Sequence, residues 1–281
     1  MNQKLNYINY INGNWEPESN SKVAIYDAGF LLGDGLFETI RFDNQKLFYP
    51  EKHLKRLHDG LKIIRINLKE SNESIINLLE QIIAKNNLDS GLLRLMITRG
   101  KIDGAPWKHK GPPCIYITIR PFTFTPDIPV KIVFFAENKY PIIRYNPAIK
   151  SLNYIGNMLA KKDAEKLGAY EPVFYNANGD ITECAIRNIF FIKENTLFTP
   201  DIELGVLPGV MRELIIKIAE EINLKIQESN IEYESINKMD EAFISSTGIG
   251  LLPCKWEGWN SNFLKTLQLQ KLLQSLIYKK S

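Results

Sequence analysis

The sequence predicts a mixed α/β chain of the α+β kind, with an N-terminal domain at residues 1–120, a linker at 121–129 and a C-terminal domain at 130–281. Three observations lead there. Short runs of apolar residues with strand character interleave with segments whose apolar residues recur at helical spacing. The stretch Pro121-Phe122-Thr123-Phe124-Thr125-Pro126-Asp127-Ile128-Pro129 has three prolines and no period, as an interdomain linker does. At 281 residues, 44% hydrophobic and 24% charged, the chain can bury one large core or two medium ones.

The elements follow in chain order. Residues 5–11 and 22–26 read as strands, with Asn12-Gly13 as a tight turn between them. After the loop Gly33-Asp34-Gly35 comes a strand at 36–42. Pro50 opens a helix with Leu54, Leu57, Leu61 and Ile64 on one face. A second helix carries Ile75, Ile76, Leu79, Ile82 and Ile83 and stops at Asn86-Asn87. In the strand at 92–98, Leu93, Leu95 and Ile97 point one way and Arg94, Met96 and Thr98 the other. A long loop, 100–113, precedes a strand at 115–119.

Beyond the linker, a strand at 131–136 leads to Lys150. The helix that follows uses Tyr154, Ile155, Met158, Leu159 and Leu167, with Gly168 as C-cap. Strands at 172–175 and 185–192 flank an Asn178-Gly179 turn. A helix at 210–222 presents Val210, Leu214, Ile218 and Ile222, a strand at 242–245 ends in Ser246-Thr247-Gly248, and a last helix runs over about 263–278.

Composition excludes several classes. A formal net charge of +3 is too small for nucleic acid or a membrane surface to be the main partner. Cys114, Cys184 and Cys254 form no CxxC pair and are expected as reduced, buried thiols. His53, His58 and His109 make no metal-binding pattern, so no metal is expected. No run approaches a membrane span, and Met1-Asn2-Gln3-Lys4-Leu5-Asn6 lacks an apolar core, so the expected location is the cytoplasm.

Three segments carry chemistry. Lys150 closes a coil rich in apolar residues and proline just ahead of a helix, where desolvation would make it a competent nucleophile. Asp180-Ile181-Thr182-Glu183-Cys184 places a carboxylate at the start of an apolar strand. Leu207-Pro208-Gly209-Val210-Met211-Arg212 opens a helix whose first amides suit a phosphate. Arg56 on the first amphipathic helix has a fork suited to the same anion, and Thr247 has a hydroxyl that can join it. An amine, an acid and an anion-binding helix start are what pyridoxal phosphate requires.

Together these segments resemble the class IV (fold-type IV) aminotransferases, a family that includes branched-chain aminotransferases, D-amino-acid aminotransferases and aminodeoxychorismate lyases. The resemblance begins at Asp27-Ala28-Gly29-Phe30-Leu31-Leu32-Gly33-Asp34-Gly35-Leu36-Phe37-Glu38-Thr39-Ile40-Arg41 and continues through His53-Leu54-Lys55-Arg56-Leu57, Thr98-Arg99-Gly100 and Lys150-Ser151-Leu152-Asn153-Tyr154. It closes with Thr182-Glu183-Cys184, Asn188-Ile189-Phe190, Leu207 to Arg212 and Ser246-Thr247-Gly248. It implies a smaller N-terminal α/β domain, a larger barrel-like C-terminal one, pyridoxal 5′-phosphate held between them, and a homodimer. It also implies Lys150 as the Schiff-base lysine, Glu183 as partner of the pyridine nitrogen and Tyr154 near the ring hydroxyl. Arg56, Asn188, Gly209, the amides of Val210 and Met211, Ser246 and Thr247 complete the implied cofactor site.

The chain departs from the pattern in places. Cys184 stands where glycine is common, and Arg187 where a small residue is usual. The part after Pro253 lacks the glycine-rich segment of many branched-chain enzymes. The expected function is amino-group transfer between an amino acid, aliphatic or branched-chain, and a 2-oxo acid. Arg94 is expected to bind the substrate carboxylate, Phe37 (read as near a parallel part of the domain) to form an apolar wall, and Trp107 to cover it. The alternative is an aminodeoxychorismate lyase, to which residues 239–254 have some likeness, although a second basic anchor is not evident at 101–106. A non-enzymatic binding module rests only on Trp107-Lys108-His109-Lys110.

Overall fold

The computed structural model describes residues 6–109, 111–122 and 129–280. They fall into two compact units. The first comprises the chain up to residue 122 with 149–153 and the end of the last helix from 277, and the second comprises 129–148 and 154–276.

The first unit contains β1 (Ile8–Ile11), β2 (Asn14–Pro17), α1 (Ala28–Leu32), β3 (Gly35–Asp43), β4 (Lys46–Leu47), α2 (Pro50–Ile63), α3 (Asn72–Asn86), β5 (Gly91–Thr98) and β6 (Cys114–Pro121). Its six strands form an antiparallel sheet in the order β2-β1-β6-β5-β3-β4. Phe37 therefore lies in an antiparallel sheet, not a parallel one. The alternation in β5 is realised: Leu93, Leu95 and Ile97 are fully buried while Arg94 is exposed. Helix α2 packs on β3 and α3 on β1 and β6, burying Leu54, Leu57, Leu61, Ile75, Leu79, Ile82 and Ile83. Ser71 caps α3 by accepting from the amide of Ser74, and Asn87 ends it in the left-handed conformation.

The strand expected at 22–26 is absent. Asn12 and Gly13 both have positive φ, 44° and 100°, which makes a two-residue hairpin turn with Ile11 opposite Asn14. The partner strand must then start at Asn14, and 22–26 is left as an exposed connection. Pro121 belongs to β6, and residues 123–128 of the expected linker lie outside the described residues. The expected C-terminal domain also loses Ile149–Asn153 to the first unit. Leu36 bridges Ser151, the amide of Phe37 donates to the Lys150 carbonyl (3.0 Å) and that of Leu152 to Gly35 (3.1 Å).

The second unit contains β7 (Val130–Ala136), α4 (Ile155–Lys166), β8 (Glu171–Tyr175), β9 (Ile181–Cys184), β10 (Asn188–Lys193), β11 (Thr196–Pro200), α5 (Val210–Glu221), β12 (Lys225–Ser229), β13 (Glu241–Ser246), β14 (Gly250–Lys255) and most of α6 (Leu264–Lys280). Eight strands in the order β12-β11-β10-β13-β14-β7-β8-β9 curl into a half-barrel with mixed pairing. Its core includes Ile132, Val173, Ile181, Ile189, Phe191, Ala242, Ile244 and Cys254.

Two expectations change here. Residues 185–187, expected within a strand, form the turn between β9 and β10, closed by the Cys184 amide donating to the Arg187 carbonyl at 3.0 Å. The apolar residues expected to face inward from α4 face outward: Ile155 is 69% exposed, and Met158, Leu159 and Leu167 are exposed too. Gly156, Ala160 and Ala164 are buried instead, because the helix lies close to β7 and β8 and only small side chains fit there.

Candidate active site

In the first unit, the face of β3 opposite the helices gathers three of the expected residues. Phe37 pairs with Met96 and Thr39 with Arg94, so these four side chains share that face. The Lys150 Nζ lies 4.6 Å from the centre of the buried Phe37 ring, and the Arg94 guanidinium carbon lies 4.2 Å from it. Trp107 is 83% exposed on the short helical turn Pro106–Lys108.

On the helix side, one position along the strand, Glu38 is completely buried. It accepts from Arg56 through Nε (2.7 Å) and Nη2 (2.6 Å), and His53 Nδ1 lies 2.8 Å from its Oε2. Burial alone would push the Glu38 carboxyl up, but the charge of Arg56 and the hydrogen bonds from His53 and Arg56 pull it down to about 2. Burial pushes His53 down, which keeps the ring neutral with Nδ1 as donor. The Nε edge of Arg56 is thus engaged by Glu38. A grip on phosphate through that edge is excluded while Glu38 holds it.

A pH prediction follows. An unfolded Glu38 titrates near 4.5, so its contribution to stability is complete above that pH and is lost as the pH falls through 4.5 toward 2. The stability gap between wild type and Glu38→Gln in urea unfolding is expected to be full at pH 7 and to narrow below pH 4.5. A gap of constant size down to pH 3 would show that ionisation of Glu38 plays no part.

In the second unit, Glu183 sits near the end of β9. Its Oε1 accepts from Arg144 Nη1 and its Oε2 from the Leu207 amide at 3.2 Å. Asn188, first in β10, donates from Nδ2 to the carbonyl of the same Leu207 at 3.0 Å. The two side chains grip the N–H and the carbonyl of one residue on the approach to α5 and so fix where that helix begins. Gly209 is its N-cap, no side chain caps the first turn, and Val210 and Met211 bury their side chains in the core. Asn188 also pairs with Ser245 on β13, which places Ser246 and the Thr247 turn beside the start of β10. Tyr154 is the half-buried N-cap of α4.

A family model described as amino-transferase class IV matches residues 35–255. The chain belongs to this family. It is an enzyme, a pyridoxal-phosphate-dependent aminotransferase. This class IV aminotransferase is 32% identical over 248 residues to a Methanocaldococcus jannaschii protein provisionally named a branched-chain-amino-acid aminotransferase, covering 87% of this chain and 85% of the relative. It is 33% identical over 249 residues to a D-alanine aminotransferase of Staphylococcus epidermidis, with coverage of 87% and 86%. Among solved structures it is similar to the branched-chain amino acid aminotransferase of Escherichia coli, at a TM-score of 0.88 and 25% identity over 98% of this chain and 96% of that one.

The residues present fit the cofactor of this class IV aminotransferase. A Cβ on Gly209 would fall 2.1 Å from Asn188 Oδ1, so any larger residue here would force the asparagine side chain to shift from its place on the Leu207 carbonyl. That bare, uncapped helix start is a donor set for a phosphate. Gly209→Ala is expected to weaken pyridoxal phosphate binding by at least about tenfold, the equivalent of one charge-assisted hydrogen bond, while leaving binding of phosphate-free pyridoxal unchanged. Equal losses for both ligands would move the phosphate away from α5.

Three partners in these clusters were not singled out from sequence: Glu38 and His53 around Arg56, and Arg144 on Glu183. His53 and Arg56 carried a usable signal, since residues three apart share a helix face. Arg144 carried none, because 39 residues separate it from Glu183.

Proposed function

We propose that this aminotransferase moves the amino group of an aliphatic or branched-chain amino acid to a 2-oxo acid such as 2-oxoglutarate or pyruvate, in a ping-pong cycle with Lys150 as the Schiff-base lysine. The observation that carries this reading is the Phe37 face of the first unit, where an amine and a guanidinium flank one buried aromatic ring. A substrate with an α-carboxylate, a reacting Cα and an apolar side chain meets those three groups together. The relatives named for branched-chain amino acids and for D-alanine support a small or aliphatic donor.

Bound pyridoxal phosphate supplies an aldehyde carbon that can hold an amino group and a ring that accepts an electron pair. Lys150 Nζ removes the proton from the substrate Cα and returns it as an acid. Glu183 would face the ring nitrogen and favour its protonated form, and Tyr154 would lie near the ring hydroxyl. Arg56, Asn188, Gly209, the amides of Val210 and Met211, Ser246 and Thr247 would hold the phosphate. Phe37 supplies the apolar wall, Trp107 the covering loop, and Arg94 orients the substrate carboxylate.

The same reading makes the enzyme a cytoplasmic homodimer. Its support is the run of exposed apolar side chains Ile25, Tyr26, Phe30, Leu31 and Leu32, with Phe30 68% exposed, a surface that a second copy can cover. Sedimentation of the loaded enzyme reads the oligomer. No described helix is long and apolar enough to cross a membrane.

A half-reaction panel of L- and D-amino acids, with aminodeoxychorismate included, tests the substrate. Aliphatic donors are expected to convert the cofactor, and Arg94→Leu is expected to raise their KM by roughly tenfold or more with the cofactor spectrum intact. Pyruvate release from aminodeoxychorismate without any amino-group transfer would replace this reading with the lyase.

A further inference from the structure

Arg144 lies between two carboxylates of the second unit. Its Nε and Nη2 donate to Glu137 Oε1 at 2.9 and 2.6 Å, its Nη1 donates to Glu183 Oε1, and Nη2 also reaches Thr182 Oγ1 at 3.1 Å. Thr182 in turn donates to Glu137 Oε1 at 2.5 Å. Glu137 opens the short helical turn after β7, while Thr182 and Glu183 are neighbours on β9, so one guanidinium ties two elements of the half-barrel together. The backbone that carries Arg144 is packed as well: a Cβ on Gly205 would lie 3.1 Å from the Tyr145 carbonyl and 3.3 Å from the Arg144 Cβ. The three charged side chains are each less than one-fifth exposed. Burial pushes Arg144 down, but the two carboxylates outweigh it and raise it, so it is a fixed cation.

The charges of the cluster sum to one excess negative. Glu183 alone could supply one negative charge to a ring nitrogen, and a bare Glu183 beside a bare Glu137 would supply two. Arg144 cancels one of them. We infer that Glu137 and Arg144 are positioning residues that set the charge offered to the cofactor ring nitrogen, with Arg144 cancelling Glu137 so that Glu183 acts as a single oriented carboxylate. This rests on the reading of Glu183 as the partner of that nitrogen. The orientation is physical as well as electrical, because Arg144 holds Oε1 of Glu183 while the Leu207 amide holds Oε2. Glu171, paired with Arg187 and Lys161, acts with Arg187 on Cys184, the neighbour of Glu183 on β9, and these charges are the same in every variant below.

The holoenzyme loaded with pyridoxal phosphate labelled with ¹⁵N in the ring reports protonation of that nitrogen through its chemical shift across pH. Glu137→Gln makes the cluster neutral and is expected to lower the protonation midpoint by about 1 pH unit. Arg144→Met leaves two negative charges and is expected to raise it by a similar amount. Glu137→Gln with Arg144→Met restores one excess charge and is expected to return the midpoint to the wild-type value. A role confined to holding Glu183 in place predicts the opposite for Arg144→Met, a fall that the second substitution does not repair, and that result overturns the inference. Superimposable curves for wild type and Glu137→Gln overturn it also, even if Arg144→Met does not fold. Glu183→Gln separates the two levels. An unchanged curve in that variant removes the reading of Glu183 itself, whereas a lowered one beside an unmoved Glu137→Gln removes only the charge-setting role.

Discussion

Lys150→Ala is expected to give a folded protein that binds pyridoxal phosphate but shows no lysine-linked band after borohydride reduction. Its half-reaction should be slower by at least about 10²–10⁴-fold, the usual share of a positioned general base, with the loss of covalent exchange added. The fold should survive because Lys150 contributes to it through its backbone: the carbonyl accepts from Phe37, and Ser151 and Leu152 continue the pairing with Leu36 and Gly35. The contact of its ammonium with the Phe37 ring is worth on the order of 1 kcal/mol. Thermal denaturation checks the first half of the expectation, and mass analysis of the reduced protein the second. A reduced cofactor adduct on any other lysine of the wild-type enzyme would move the chemistry elsewhere.

Glu183→Gln should leave the cofactor bound and slow removal of the substrate Cα proton by on the order of 10²–10³-fold, as removal of a preorganised electrostatic group does. The substitution keeps the side-chain length, so the amide oxygen can still accept from Leu207, and Arg144 keeps Glu137 as its counter-charge. What disappears is the negative charge. Without it a protonated ring nitrogen loses stabilisation equivalent to roughly 1–3 pKa units. Single-turnover rates with a deuterated Cα isolate the step. Wild-type rates in this variant would place the nitrogen's partner at another residue.

Much of the secondary structure was legible because its signals are local. Helices α2, α3 and α5 follow from apolar spacing, and β5 from strict alternation, since each shows one face to a core. Helix α4 misled on the same logic. Its apolar residues have helical spacing but face outward, and the contact with the sheet is made by glycine and alanine, which a hydrophobic pattern does not weigh. The absent strand at 22–26 has a different cause. Its composition suits a strand, but the Asn12-Gly13 turn sets the register of the hairpin and uses the next available residues. The turn at 185–187 was missed because the apolar run continues through it, while a hydrogen bond from Cys184 to Arg187 closes the chain there.

The sequence by itself determined the family, through ordered motifs from Asp27 to Gly248, and with it pointed to a candidate amine, acid and helix start for pyridoxal chemistry. Only the tertiary structure decided which unit carries Lys150, that the Nε edge of Arg56 is held by Glu38, and that Glu183 shares Arg144 with Glu137. The reason is physical. Motifs and periodicity record the backbone and its immediate neighbours. The partner of a buried charge is set by whichever element packs against it, and here 18 residues separate Arg56 from Glu38 and 39 separate Arg144 from Glu183. A buried charge must find a counter-charge wherever the fold brings one.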